Sequence, residues 1–373
     1  MPASRRPDPR RPIRVLAVAG ARPNFMKIAP LMKELASRPG RFESILVHTG
    51  QHYDRAMSET FFHELGIPEP DVNLGVGSGS HGAQTAQVLE KIEALLLDRR
   101  PDVVLVVGDV NSTLAAALAA VKLQVPVAHV EAGLRSGDRT MPEEINRILT
   151  DAISDWLFTT EPDAERNLLR EGVPADRIHF VGNVMIDTLM QHRDRARQLD
   201  TIERLGLDRG GYAVLTLHRP SNVDSPEQLR RLFAVLGRLD AELPVVFPIH
   251  PRTAKAMELH LGAEAPRLHR TEPLGYLDFL NLLMGAQMVL TDSGGIQEET
   301  TALGIPCLTL RENTERPVTV TEGTNTIVGT DPEAIEAAIA RTRSAPPPSG
   351  RQPTLWDGAA ARRIVDILER DLA

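Results

Sequence analysis

The stretch DVVLVVGDVNSTLAAALAAVKLQVPVAHVEA, residues 102–132, holds two apolar runs on either side of an alanine-rich segment with helical character. The runs, DVVLVVGD (102–109) and VPVAHVEA (125–132), are apolar almost throughout and do not alternate with polar residues. Such runs are typical of strands that are covered on both faces of a parallel sheet. A strand, a helix and a second strand in this order therefore predict one unit of an α/β fold.

The same alternation of apolar runs and helical patterns continues over most of the 373 residues. The first half has strand candidates at 13–20, 42–50, 102–109, 125–132, 156–161 and 177–183. After a polar stretch the pattern begins again, with candidates at 212–218, 243–250, 267–270, 288–292 and 306–311. We therefore expect an α/β protein of two Rossmann-like domains facing a cleft, which is where such proteins bind their ligands.

These patterns place an N-terminal Rossmann-like domain at residues 13–183 and a second, similar domain at residues 184–354. Residues 1–12, rich in Arg and Pro, are expected to form a disordered arm. Residues 355–373 have the pattern of an amphipathic helix that packs back on the first domain. No apolar run approaches the roughly 20 residues that span a bilayer, so a membrane protein is not expected.

Composition excludes some classes of protein. The formal net charge of −8 argues against a nucleic-acid scaffold. The single cysteine, Cys307, excludes an internal disulfide framework and is typical of a reducing cytoplasm. Because it lies in the apolar run GIPCLTL, we interpret it as a core thiol rather than a nucleophile.

Carboxylates follow the strands of the first domain. Asp109 and Glu131 fall at the ends of adjacent predicted strands, and Glu143 opens the helix after the second of them. Taken singly, each has an ordinary explanation, since Asp109 is suited to cap the next helix and Glu143 to its acidic first turn. Carboxylates that converge on one site raise one another's pKa, which lets one act as an acid while another acts as a base. The three together therefore predict proton transfer.

Two places are suited to an anion. In GARPNFMKIAP (20–30), Arg22 and Lys27 lie at the start of a helix after strand one, although they are also compatible with two solvated cations. The stronger signal is TDSGGIQEE, in which Ser293, Gly294 and Gly295 end a strand and a helix begins at about Ile296. Paired glycines let a diphosphate approach bare N–H groups there, whereas an ordinary glycine-rich turn is the alternative.

Further candidates surround this second place. Glu298 and Glu299 lie in the first helical turn, where one of them can accept both hydroxyls of a ribose, and Arg316 offers another cation for a phosphate. His218 and His250 each end a strand; a lone histidine there is usually structural, and we count both as candidate site residues. No close spacing of His, Asp and Glu matches a zinc or magnesium site, so no metal is expected.

Taken in order, these segments resemble one family, the non-hydrolysing UDP-N-acetylglucosamine 2-epimerases. The shared segments run from about residue 14 to 330: GARPNFMKIAP, TGQHYD, VVGDVNST, HVEAGLRS, MPEEINR, GNVMIDTL, TLHRPSNVD, TDSGGIQEE and ENTERPVTVTEGTN. The resemblance implies the glycosyltransferase-B fold, an active site in the interdomain cleft and a homodimer. It also implies a nucleotide-binding second domain and interconversion of UDP-GlcNAc and UDP-ManNAc without an organic cofactor.

The resemblance also implies roles for residues at matching positions. The catalytic set would be Asp109, Glu131, Glu143 and His218. The substrate-binding set would be Arg22, Lys27, Phe279 (near the uracil), Ser293, Gly294, Gly295, Glu299 and Arg316. We count Arg135, His250 and Glu298 as further substrate-binding candidates. In some members UDP-GlcNAc activates from a second site near residues that match Gln51 and His52.

Two segments depart from the family pattern. The stretch SGDRTMP, residues 136–142, is shorter than the common form, and the histidine motif reads HRPSN where many members have HRREN. Both departures bear on which sugar is bound and on whether regulation operates. The alternatives are therefore a sister 2-epimerase acting on a decorated UDP-sugar, such as a diacetamido-uronic acid, and a hydrolysing 2-epimerase that releases ManNAc and UDP.

Overall fold

The computed structural model describes residues 10–20, 22–50, 64–262, 265–345 and 352–373. Contacts divide the chain into two compact units, the first comprising Met1–Thr188 with Thr354–Ala373 and the second Leu189–Pro353. The predicted boundary at 183/184 lies at the start of helix α6 (Val184–Arg197), and the two units divide within that helix. Most of the predicted arm, and Gln51 and His52, lie outside the described residues.

Within the described residues, the first unit contains a seven-stranded parallel sheet of order β3-β2-β1-β4-β5-β6-β7. Its strands are β1 (Ile13–Ala19), β2 (Phe42–His48), β3 (Val72–Asn73), β4 (Val103–Val107), β5 (Val127–Ala132), β6 (Trp156–Thr159) and β7 (Ile178–Phe180). The connecting helices are α1 (Arg22–Ala36), α2 (His81–Arg99), α3 (Asn111–Lys122), α4 (Pro142–Ile153) and α5 (Pro162–Arg170). All residues of the central strands β4 and β5 are buried, including His129 and Glu131, as their largely apolar runs predict.

The second unit repeats this architecture with a six-stranded parallel sheet of order β10-β9-β8-β11-β12-β13 among its described residues. Its strands are β8 (Ala213–Thr216), β9 (Val245–Pro248), β10 (His269–Thr271), β11 (Met288–Thr291), β12 (Cys307–Thr309) and β13 (Asn325–Ile327). Its helices after α6 are α7 (Thr201–Arg204), α8 (Pro220–Val223), α9 (Pro226–Asp240), α10 (Pro251–His260), α11 (Tyr276–Met284), α12 (Gly294–Leu303), α13 (Val318–Thr321) and α14 (Pro332–Ser344).

The predicted α/β class is confirmed, with two differences at the sheet edges. The structure adds β3 and β13, which the sequence does not predict because two or three residues are too few to show a pattern. The order in each sheet places the first strand of each unit, β1 or β8, next to the middle of its sheet. Since all strands are parallel, their carboxyl ends lie along one edge, where the connecting loops carry the candidate residues.

The C-terminal segment packs against the first unit. Helix α15 (Ala360–Leu372) begins where the backbone N–H groups of Ala360 and Ala361 donate to the Asp187 carboxylate, at 3.1 and 2.7 Å. The indole N–H of the buried Trp356 donates to the carbonyl oxygen of Thr160 at 3.0 Å. No helix of the described residues is long and apolar enough to cross a membrane.

Gly182, between β7 and α6, depends on the closeness of this segment. Its φ is +89°, and a Cβ placed on it would overlap the carbonyl oxygen of Leu355. We expect Gly182→Ala to lower the free energy of unfolding by about 3 kcal/mol, because it combines backbone strain with displacement of the segment.

Gly172→Ala is the matched control. Its φ is +85°, but no atom lies within 4 Å of the added Cβ, so only the backbone strain of about 1 kcal/mol is expected. Urea unfolding measures both. Equal losses in the two variants would contradict the tight packing of Leu355 on Gly182.

Candidate active site

The carboxyl ends of β1, β4 and β5 bring several of the predicted residues of the first unit together. Lys27, on the helix after β1, forms an ion pair with Glu131, at the end of β5, and both side chains are buried. The Lys27 ammonium also lies beside Gly108, where an added Cβ would be 3.0 Å from Nζ. A glycine at this turn therefore allows the cation to approach the loop that carries Asp109.

Glu131 has an unusual backbone. Its φ is +73°, and the pairing of β5 with β6 shifts register between Val130 and Ala132. A left-handed conformation in a residue with a side chain costs on the order of 1–3 kcal/mol, and such strain is concentrated at functional sites. The strained residue at this irregularity is thus the one that forms the buried ion pair with Lys27.

Asp109 is held by a residue that the sequence did not single out. Arg147, in α4, places Nη2 at 2.6 Å from Asp109 Oδ2 and Nη1 at 2.8 Å from Glu144 Oε2. Asn146 donates to the backbone carbonyl oxygen of Asp109 at 2.9 Å. Glu143 is half-buried in the first turn of the same helix. Helix α4 therefore fixes both the backbone and the carboxylate of Asp109.

A buried network of hydrogen bonds connects the strands next to these carboxylates. His129 lies on β5 two residues before Glu131, with Nδ1 at 2.6 Å from Asp151 Oδ1 and Nε2 at 2.8 Å from the carbonyl oxygen of Gly108. Each ring nitrogen of His129 therefore lies beside a hydrogen-bond acceptor. Burial alone would raise the pKa of Asp151, but the charges and hydrogen bonds of His129 and Arg135 outweigh it and hold that pKa below its ordinary value.

Arg135 belongs to the same network. Its guanidinium contacts Asp151 at 2.8 Å and donates to both carboxylate oxygens of Glu171, at 2.8 and 2.6 Å. The structure thus gives Arg135 two carboxylate partners within the protein, and its predicted contact with substrate stays a prediction. Arg22 is the first residue of α1, and its side chain is outside the described part.

In the second unit, His218 follows β8 and is paired with Asp292, which follows β11. Nδ1 of His218 lies 2.9 Å from Asp292 Oδ1, and the backbone N–H groups of His218 and Arg219 donate to the same carboxylate. Burial alone would raise the pKa of Asp292, yet these hydrogen bonds and the histidine charge keep it below its ordinary value. Asp292 therefore orients a half-exposed imidazole.

Ser293 precedes the first turn of α12, which starts at Gly294, two residues earlier than the sequence suggested. A Cβ on Gly294 would lie 2.8 Å from Glu315 Oε1 and 3.1 Å from Arg316 Nη1, so only glycine fits beside this ion pair. Arg316 contacts Glu298 at 2.8 Å and Glu315 at 3.0 Å. The start of a helix and a buried guanidinium thus lie side by side. Arg316 has two carboxylate partners within the protein, so its predicted contact with a phosphate stays a prediction.

Glu299 is buried next to this place. Burial raises its pKa to about 8; a hydrogen bond from Tyr276 opposes the rise and the charge of Glu298 adds to it. Phe279, on α11 with Tyr276, is half-buried against an apolar cluster, and His250 is exposed before α10. The described residues contain no group of three His, Cys, Asp or Glu side chains that could hold a metal ion.

The raised pKa of Glu299 predicts a pH-dependent stability. The folded protein favours the neutral carboxyl of Glu299. The stability that this preference contributes is complete below pH 4.5 and is lost as the pH rises through about 8. We expect wild type to lose more than about 2 kcal/mol relative to Glu299→Gln over this range, measured by urea unfolding. Glu322→Gln, an exposed change in the same unit, should track wild type, and a parallel Glu299→Gln curve would contradict the burial effect.

Comparison with known proteins agrees with this geometry. Residues 33–369 match the family model described as UDP-N-acetylglucosamine 2-epimerase. The UDP-N-acetylglucosamine 2-epimerase of Methanocaldococcus jannaschii is 43% identical over 367 residues, covering 94% of this chain and 97% of that protein. The UDP-2,3-diacetamido-2,3-dideoxy-D-glucuronate 2-epimerase of Pseudomonas aeruginosa is 42% identical over 362 residues, covering 96% and 100%.

Among solved structures, the M. jannaschii UDP-GlcNAc 2-epimerase in complex with UDP-GlcNAc and UDP superimposes with a TM-score of 0.88. The sequence identity is 40%, and the match covers 96% of this chain and all of that one. This likeness confirms the predicted fold class, two Rossmann-like domains of the glycosyltransferase-B type. The chain belongs to the UDP-N-acetylglucosamine 2-epimerase family.

Proposed function

We propose that this protein interconverts UDP-GlcNAc and UDP-ManNAc by eliminating UDP and adding it back. The proton on C2 of the sugar is not acidic, so direct inversion there is not accessible. When a carboxylate takes the C2 proton while the C1–O bond breaks, the electron pair of that bond leaves with UDP and a C1=C2 double bond forms. Addition of UDP to this 2-acetamidoglucal, with a proton delivered to the opposite face of C2, gives the epimer.

The observation that carries the proposal is the set of carboxylates at the strand ends of the first unit. Asp109, Glu131 and Glu143 lie on adjacent elements, and cations hold two of them: Arg147 pairs with Asp109 and Lys27 with Glu131. Proton transfer at carbon needs such groups as base and acid, and each typically contributes roughly 10²–10⁴-fold to the rate. We assign them to the exchange of the C2 proton.

The second unit has the features that a departing diphosphate needs. Ser293, Gly294 and Gly295 form the start of α12 with Arg316 beside it, and His218 is oriented by Asp292. Donors fixed in advance toward developing negative charge are worth several kcal/mol in a transition state. We assign this group to the diphosphate, and we propose Arg22 and Lys27 of the first unit as further substrate contacts.

The remaining candidates complete the substrate assignment. We propose Glu299, with Glu298 beside it, for the ribose hydroxyls and Phe279 for the uracil, with Arg135 and His250 as further substrate contacts. Regulation by UDP-GlcNAc through Gln51 and His52 stays a prediction. A homodimer is likewise proposed, and the family resemblance supports it. We also propose a cytoplasmic location, which the buried single thiol, Cys307, supports.

A second candidate is epimerisation of a decorated UDP-sugar. It is favoured by the 42% identity to the P. aeruginosa diacetamido-glucuronate 2-epimerase, nearly as high as that to the M. jannaschii protein. The short segment SGDRTMP, between the two carboxylates Glu131 and Glu143, also departs from the common family form. Both substrates require the same elimination chemistry, so the carboxylate assignment holds for either.

Incubation with UDP-GlcNAc in D₂O tests the function. We expect both epimers to appear with deuterium at C2, because the proton removed exchanges with solvent, and NMR of the sugar protons measures this. Unchanged UDP-GlcNAc without exchange would contradict the assignment, and turnover of the diacetamido-uronate substrate instead would establish the second candidate. Free ManNAc and UDP would identify the hydrolysing reaction.

Glu131→Gln should slow deuterium exchange by roughly 100-fold or more while UDP affinity stays within a few-fold, because the group acts on the proton and not on the nucleotide. Glu43→Gln is the matched control. This partly exposed residue lies near the amino end of β2, away from the carboxyl ends of the strands that carry the site. Exchange at the wild-type rate in Glu131→Gln would remove Glu131 from the catalytic set.

A further inference from the structure

A continuous chain of contacts joins the short loop 136–142 to Asp109. The N–H groups of Ser136 and Gly137 donate to Glu144, at 2.9 and 3.0 Å, and the Ser136 hydroxyl donates at 3.1 Å. Glu144 accepts from Arg147 Nη1 at 2.8 Å, and Arg147 Nη2 reaches Asp109 at 2.6 Å. Every contact in this chain is an ion pair or a hydrogen bond to a charged group.

Arg147 is suited to this position because its guanidinium has two arms in one plane. Only 3% of its side chain is exposed, and only 2% of that of Glu144, so both charges are taken out of water. Burial alone would raise the pKa of Glu144, but the N–H groups of Ser136 and Gly137 and the Arg147 cation hold it below its ordinary value. One arm of Arg147 is therefore fixed by an ionised partner, and the other arm meets Asp109 in a set orientation.

The other charged and titratable groups near Asp109 come from several elements. Lys27 of α1 lies beside Gly108 and pairs with Glu131 of β5, and His129 of β5 contacts the Gly108 carbonyl oxygen. His81 of α2 is hydrogen-bonded to Asn111, which also accepts from Asn146 at 3.2 Å, and Glu143 precedes Glu144 in α4. Arg147 contacts the Asp109 carboxylate directly, at 2.6 Å.

We propose that Arg147 is a positioning residue for the epimerisation: it holds Asp109 ionised and in one orientation, so that Asp109 enters the cycle as a proton acceptor. The inference rests on the proposed function and deepens it, because it gives one of the three carboxylates a resting protonation state. Through Glu144, the orientation of the Arg147 guanidinium also depends on the loop 136–142. A change of that loop therefore acts on the geometry of the acid–base machinery.

The pH dependence of turnover tests the charge effect. A neighbouring arginine lowers the pKa of an aspartate by roughly 1–3 units, so its removal in Arg147→Met should move the acidic limb of the kcat profile to higher pH by about one unit or more. Loss of the orienting partner should also lower kcat by roughly 10–100-fold. The KM for the UDP-sugar should change only a few-fold, since Arg147 is not assigned to the nucleotide.

Arg147→Lys and Glu144→Gln separate charge from geometry. Lysine keeps a cation but cannot span two carboxylates, so we expect the acidic limb near its wild-type position and a lowered kcat. Glu144→Gln leaves the Arg147–Asp109 contact in place, so the limb should stay where it is. If Arg147→Met does not fold because Glu144 is left buried and unpaired, the double variant Glu144→Gln/Arg147→Met is compared with Glu144→Gln in the same way.

A measurement without turnover keeps this test apart from that of the function. In protein with ¹³C-labelled aspartate carboxyls, the Asp109 resonance is identified by its loss in Asp109→Asn, and its titration is followed in wild type and in the double variant. We expect the midpoint to rise by about one unit or more in the double variant. An unchanged midpoint, whether or not activity falls, would reduce Arg147 to a structural role and overturn the proposal. Failure of wild type to epimerise UDP-GlcNAc would leave this titration result intact.

Discussion

The buried ion pair between Lys27 and Glu131 is the interaction on which the first unit's site depends. A carboxylate without a partner in the interior costs several kcal/mol, so each strand-end carboxylate has to meet a cation or several N–H groups. Lys27 reaches Glu131 because Gly108 leaves room for its ammonium, and Glu131 lies at the irregularity in the pairing of β5 with β6. Arg147 is likewise the partner of Asp109, and His129 and Arg135 are the partners of Asp151.

The second unit also provides partners for its buried carboxylates, but with different groups. Asp292 is balanced by His218 and by backbone N–H groups, and Glu298 is balanced by Arg316. Glu299 is the exception, because burial leaves it with a pKa of about 8. Hydroxyl donors from a ligand favour the ionised carboxylate, which is the better hydrogen-bond acceptor, and this supports its proposed role on the ribose.

Much of the fold was predictable because strands buried on both faces have largely apolar runs, and β4 shows this most clearly. The edge strands β3 and β13 escaped prediction, since they are too short to have a period. Asp109, Glu131 and Glu143 could be proposed from their place after strands. Arg147 and Asp292 were missed because the choice of partner is a property of the folded chain: MPEEINR reads as an ordinary amphipathic helix start, and nothing in it shows that its arginine reaches Asp109.

The most direct test of the central claim, that buried cations hold these carboxylates, is a double-mutant cycle on Lys27 and Glu131. Urea unfolding would be measured for Lys27→Met, Glu131→Gln and the double variant. Removal of one partner of a buried pair costs about 3 kcal/mol, because the other charge stays buried without compensation. We predict a double variant less destabilised than the sum of the single variants by about 2 kcal/mol or more. Additivity within about 0.5 kcal/mol would contradict the account.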